Sequence, residues 1–153
     1  MIVEALPEYA LSLKQPWAAL VVLGLKTIEI RRWPTARRGR ILIHAARVPD
    51  DRAEAQRHGT PELQELVQRQ GGIIGSVQLT DCVRYDDLAT FMADKASHYN
   101  EESWFVPPRL YGFKFSEPRI LPFQKYPGWF RFFKIKSHVE TMPKAETSVA
   151  ESR

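Results

Sequence analysis

Apolar and polar residues along this chain follow two periods that alternate from segment to segment. ALSLKQPWAALVVLG (10–24) begins as a short β-type run and turns helical after Pro16. Trp17, Leu20 and Val21 fall at i, i+3 and i+4, Pro16 suits a first helical position and Gly24 a terminator. KTIEIRR (26–32) then changes to period two, with Ile28 and Ile30 on one face and Thr27, Glu29 and Arg31 on the other. TARRGR makes a turn, and RILIHAA is a second β-type run. HGTPELQELVQRQGG predicts a helix with Thr60 as cap, Pro61 at the first position, Leu63, Leu66 and Val67 on one stripe, and Gly71 as terminator.

Farther along, GGIIGSVQLTDCV alternates so as to put Ile73, Gly75, Val77 and Leu79 on one side. DDLATFMADKA predicts a helix through Leu88, Phe91 and Met92. RLYGFKF and GWFRFFKIK are aromatic β-type runs, joined by a connector carrying Pro118, Pro122 and Pro127. There is no internal repeat and no regular βαβ alternation, so a doubly wound parallel sheet is not expected. The pattern predicts an α+β fold: a small, partly closed mixed β-barrel of five or six strands with flanking helices. Residues 1–137 are assigned to this domain. Residues 138–153, without aromatics or apolar periodicity, are expected to be a disordered tail.

The totals narrow the setting. A chain of 153 residues, 44% hydrophobic, suits one domain. The longest apolar run, Trp17 to Leu23, is far shorter than the ~18 residues of a membrane span, and no secretory signal is apparent. The single cysteine, Cys82, permits no internal disulfide or thiolate cluster and is expected to be a small core residue. A cytoplasmic protein is the expectation. The net charge of +4 conceals an asymmetry, because Lys14 to Arg47 holds eight Lys or Arg against one acid, Glu29. Such a field attracts polyanions; its alternative is a solvated basic face without a partner.

Several chemistries are absent: no phosphate-cradling glycine loop, no GxSxG elbow, no HExxH or paired-cysteine spacing. No metal or cofactor is expected. The paired acids Asp50-Asp51 and Asp86-Asp87 are read as helix-start residues that complement the dipole. The informative segment is GLKTIEIRRW (24–33). Glu29 beside several cations is expected to stay ionised and to accept hydrogen bonds from a base amine or a ribose hydroxyl. Arg31 and Arg32 would bind phosphate as forks and Lys26 as a point charge. The alternative is that Glu29 merely pairs with Arg31 or Lys26 on an exposed sheet face. Trp17, Trp33, Tyr111 and Phe113 offer stacking platforms or core packing, and Trp33 is the one expected to be exposed. His44 is expected to be half-buried with a backbone partner.

GLKTIEIRR resembles the GxKxxExR signature of the ASCH (activating signal cointegrator homology) domain family, with Gly24, Lys26, Glu29 and Arg31 at its four positions. LSLKQPWAALVVLG is similar to the coactivator-type branch of that family. RRGRILIHAA and GGIIGSVQLTDC are similar to its next two strands, so the likeness runs from about Leu11 to Ile135. It implies a PUA-like barrel that binds nucleic acid, RNA favoured over DNA. It also implies a cavity formed by Lys26, Glu29 and Arg31, with Lys14, Gln15 and Trp17 at the rim; Arg32, Trp33, His44 and Arg47 complete the candidate surface. A hydrolytic branch removes the acetyl group of acetylated cytidine with a lysine and a threonine three positions later. Here Lys26 is followed at that spacing by Glu29, so the reading leans to a binder, with Lys26 and Glu29 the catalytic candidates if hydrolysis of RNA or a modified nucleoside is retained. An acidic protein partner is the remaining alternative, and oligomeric state is left open.

Overall fold

The computed structural model describes residues 7–52 and 59–136. The elements in chain order are β1 (Tyr9–Leu13), α1 (Trp17–Val22), β2 (Ile28–Arg31), β3 (Gly39–Ala45), α2 (Pro61–Leu66), β4 (Gly72–Tyr85), α3 (Leu88–Ala93), α4 (Lys95–His98), β5 (Leu110–Lys125) and β6 (Phe132–Lys134). The expected disordered tail, residues 138–153, lies outside the described residues.

One mixed six-stranded sheet runs β2-β5-β4-β3-β1-β6. Among the described residues only the β1–β3 pair is parallel. The fold is therefore α+β, and no backbone ladder joins the outer strands β2 and β6 among the described residues. Side chains bridge that seam instead. An Arg31 guanidinium nitrogen on β2 donates to the Ser12 carbonyl on β1 at 2.9 Å. Trp33 packs edge-on against Phe113 of β5 and Phe132 of β6, with ring centres 5.1 and 5.7 Å away.

Helix α1 packs on β3, β4 and β5, and all six of its residues are buried. With Ala18 and Ala19 on the helix, its backbone can approach the sheet closely. Gly75 on β4 completes the fit: a Cβ there would lie 2.4 Å from the Arg119 carbonyl and 2.6 Å from a Val22 methyl. Truncating a fully buried residue such as Leu20 to Ala would cost about 2–5 kcal/mol. The helix ends where Gly24 adopts φ +82°, the left-handed conformation that glycine takes without a Cβ clash. Thr60 and Asp87 cap α2 and α3 by accepting from the backbone N–H groups of Leu63 and Thr90.

Two sequence expectations fail for identifiable reasons. Ile73 does not share a face with Val77 and Leu79. The β3–β4 register shifts between Ile43 and His44, leaving Ile74 as an extra residue on β4. Ile73 consequently joins a second cluster with Leu42, Leu121 and Phe133, while Ile74, Val77 and Leu79 face the main core. The proline-rich connector is also part of a strand. β5 continues through Pro118 and Pro122, paired among the described residues with β4 alone there, because β2 pairs no farther than Lys114. A strand with one free flank tolerates residues lacking an N–H.

Candidate nucleic-acid interface

The alternation of β2 divides its side chains as the period-two pattern requires. Ile28 and Ile30 pack with Tyr85, Phe91 and Leu110. Glu29 and Arg31 project to the other face, where both line a cleft of about 1060 Å³. Within it, Oε2 of Glu29 accepts from Arg31 at 3.0 and 3.1 Å. Arg31 thus spans Glu29 and the Ser12 carbonyl, and its guanidinium also lies 6.0 Å from the Trp33 ring centre.

Lys26 is not in the cleft. It is 1% exposed and sits behind Glu29, its ammonium 3.7 Å from Oε1. The same ammonium donates to the His98 carbonyl and, at 3.0 Å, to Oδ1 of Asn100; the Trp17 ring centre is 5.2 Å away. Burial pulls the Lys26 pKa down to about 8, against the upward pull of Glu29. The expected role as a phosphate contact is corrected accordingly: a cation so enclosed orients Glu29 and cannot reach a ligand phosphate without leaving its partners.

Trp17 stands between Lys26 and the cleft wall, buried yet lining the cavity. Its Nε1–H donates to Asp50 at 2.8 Å, and its ring meets Trp104 edge-on at 5.8 Å. Asp50 is therefore a buried acceptor; the helix start expected at Asp50-Asp51 depends on residues 53–58, which lie outside the described residues. Burial pushes its carboxyl up, but the Trp17 hydrogen bond and the Arg52 backbone N–H and guanidinium outweigh this and hold it below the usual carboxylate range. The Arg52 guanidinium covers the Trp104 ring at 3.6 Å, extending the wall.

On the opposite side, His44 lines the cleft but is 2% exposed, where the sequence suggested half-burial. Its Nε2 lies 2.7 Å from the Tyr126 carbonyl, which only accepts, so Nε2 carries the hydrogen. Nδ1 of the neutral ring then accepts from the Ser12 hydroxyl at 2.9 Å. Burial lowers the His44 pKa, against the Tyr126 hydrogen bond. Gly128 rests on this imidazole so closely that a Cβ would lie 2.5 Å from Cε1.

Of the other candidates, Lys14 and Arg47 are exposed and line the cleft. Arg32 is exposed and borders an adjoining depression of about 520 Å³. Gln15 is not a rim contact. It is buried, donates to the carbonyls of Leu66, the last residue of α2, and of Arg69 just after it, and accepts from the Ala19 N–H, so it locks α2 to α1. Trp33, expected to be exposed, is half-buried by Phe113 and Phe132, with the Arg131 guanidinium 4.8 Å from its ring centre. Tyr111 and Phe113 belong to the protein's own packing.

Sequence reasoning missed His98 and Asn100, which hold Lys26 from 72 and 74 residues away and carry no local signal. It also missed the cleft's far rim, Lys125 to Phe130. There GWFRFFKIK is a strand only at Phe132–Lys134, and the preceding Pro-Gly pair was the available sign of a loop.

A protein-family model described as ASCH domain matches residues 11–141. The chain belongs to the ASCH domain family. The match spans the cleft residues and both ends of the seam. This ASCH domain is 35% identical over 83 residues to human activating signal cointegrator 1 and 34% identical over 83 residues to the mouse protein. Each alignment covers 49% of this chain and 14% of the relative, so the chain spans a small part of the length of the curated relatives it matches. Among solved structures, it superposes on an ASCH protein from Zymomonas mobilis with TM-score 0.60 at 18% identity, covering 84% of this chain and 87% of that one. A single-site variant of the same bacterial protein gives TM-score 0.59 at 18% identity, covering 86% and 92%. These likenesses establish the fold; the cleft's chemistry comes from this chain's own side chains.

Proposed function

We propose that this ASCH domain binds nucleic acid in the cleft floored by Glu29 and Arg31. The observation that carries the reading is the cleft's charge arrangement. Lys14, Arg31, Arg47, Arg52 and Lys125 line it against two carboxylates, Glu29 and Asp50, each held by a cation. Lys14, Arg47 and Lys125 have no ion pair with any described residue. Cations unspent on the described acids suit a polyphosphate, whose binding releases condensed counterions. Glu29, oriented from two sides, supplies an acceptor for a base amine or a ribose 2′-hydroxyl; the second possibility supports RNA over DNA.

The test is a salt titration of binding to single- and double-stranded RNA and DNA, read by fluorescence anisotropy. Affinity should fall log-linearly with salt, and a Lys14→Ala, Arg47→Ala, Lys125→Ala triple variant should flatten the slope by about two to three. Salt-independent binding, or a triple variant equal to wild type, overturns the assignment. Preference for polyglutamate over every oligonucleotide would point instead to an acidic protein partner. Hydrolysis with Lys26 as base has weaker support, since its ammonium is enclosed by His98, Asn100, Glu29 and Trp17. Turnover of RNA or acetylated cytidine by the purified protein would restore that reading.

A further inference from the structure

We infer that Trp129 and Phe130 form a stacking platform for unpaired bases, so that the cleft selects single-stranded over fully paired nucleic acid. The inference rests on the nucleic-acid reading above and adds the strandedness of the ligand. Trp129 is 65% and Phe130 72% exposed, the two most exposed large hydrophobic side chains among the described residues. Their rings stack on each other, centres 5.2 Å apart and planes 24° from parallel, so the pair braces itself and keeps its outer faces free for a further ring. Both line the same cleft as Lys14, Arg47 and Lys125.

The platform is positioned by its base. On its N-terminal side, the Tyr126 carbonyl is tied to His44 and Gly128 is seated against the same imidazole. On its C-terminal side, Arg131 adopts φ +57° and covers Trp33. Two large aromatics are thereby kept out of the core while their neighbours on both sides are anchored. Every nucleobase offers a π-face, but in a duplex those faces are already stacked on their neighbours; an unpaired strand leaves them available. Cations beside aromatic faces therefore match a ligand with phosphates and free bases. A protein partner of acidic composition would use the cations and leave the rings uncovered.

The experiment measures binding of the 153-residue protein to three probes of equal length: a single-stranded oligonucleotide, its blunt duplex, and an abasic phosphodiester strand. Wild type should bind the single strand at least tenfold more tightly than the duplex or the abasic strand. Trp129→Ala combined with Phe130→Ala should remove about tenfold or more of the single-strand affinity, leave abasic binding unchanged and keep the salt slope. Trp129→Phe should retain most of the preference. Equal wild-type binding of all three probes, unaffected by the double variant, overturns the platform while leaving the nucleic-acid reading intact. Failure of wild type to bind any probe overturns both. Loss of a dimer in sedimentation on the double substitution, without change in probe binding, assigns the rings to a contact between copies and overturns the inference.

Discussion

Lys26 reaches Glu29 from beneath the cleft, its ammonium 3.7 Å from Oε1, while the other carboxylate oxygen faces Arg31. The two cations are unequal. Lys26 is enclosed by the main-chain carbonyl of His98 and the side chain of Asn100, whereas Arg31 remains partly open to solvent. One fixes Glu29 from the interior, and the other couples it to the surface.

Replacing Glu29 with Gln removes the buried counter-charge but keeps the shape. An uncompensated interior ammonium is expensive, so Glu29→Gln should destabilise the domain by about 3 kcal/mol, measured by urea unfolding. A change below about 0.5 kcal/mol would show that His98 and Asn100 alone hold the cation.

The depressed Lys26 pKa has a pH signature. Between pH 8 and 10.5 the unfolded chain carries a proton on this lysine that the folded domain lacks, so unfolding takes up protons and stability rises with pH. The full rise for a shift from 10.5 to about 8 is about 3 kcal/mol. Tyr85 opposes it above its ordinary value of 10, because burial and Asp94 keep its hydroxyl protonated in the folded state. The rise should therefore appear between pH 8 and about 10 in denaturant titrations. It should vanish in Lys26→Met, which will itself be less stable because the His98 and Asn100 acceptors lose their donor.

On the acid side His98 sets the expectation. Its Nε2–H donates to the Phe91 carbonyl, and its Nδ1 accepts from the Asn100 N–H, leaving no room for a second proton. Burial and then Lys26 lower its pKa against the Phe91 hydrogen bond. Below the ordinary value of 6.5 the unfolded chain gains a proton that the folded domain resists, so stability should fall as pH drops through 6 toward 5. His44 adds to the same slope. His98→Gln should flatten the profile, and thermal melting across pH 5 to 7.5 would measure the difference.

The signature on β2 was legible because period two and a local charge excess coincide there, and the face division of Glu29 from Ile28 and Ile30 follows directly. Which cation faces the cleft was not legible. Spacing places Lys26 two residues beyond Gly24, but only the α4 segment and Asn100 decide that it points inward. The bulge at Ile74 was equally hidden, since a run of alternating apolar residues does not show where one is extra. Trp33 is less exposed than its neighbours Arg32 and Pro34 imply by signalling a strand end, because Phe132, far along the chain, supplies its cover.

Arg31 closes the seam as well as lining the cleft. Arg31→Lys keeps the charge but loses the fork that spans Glu29 and the Ser12 carbonyl. Amide exchange in β2 should accelerate by about tenfold relative to β4, and oligonucleotide affinity should fall several-fold. Unchanged exchange in β2 would mean that Trp33 holds the seam by itself.

Gly128→Ala tests the anchoring of the aromatic loop. The new methyl would meet the His44 ring at 2.5 Å, and the loop must shift to admit it. Single-strand affinity should drop several-fold with little change in melting temperature, because the collision lies at the loop and not in the main core. A large loss of stability would instead show that His44 cannot give way.

Pro118 and Pro122 carry a last consequence. They punctuate the outer flank of β5, beyond the reach of β2, where Ile120 and Phe123 are also exposed. An intruding strand would find donors missing at two places along that flank and could not extend a continuous ladder. Along that flank the longest described strand is thus a broken template for edge-to-edge pairing, even though Ile120 and Phe123 are exposed there.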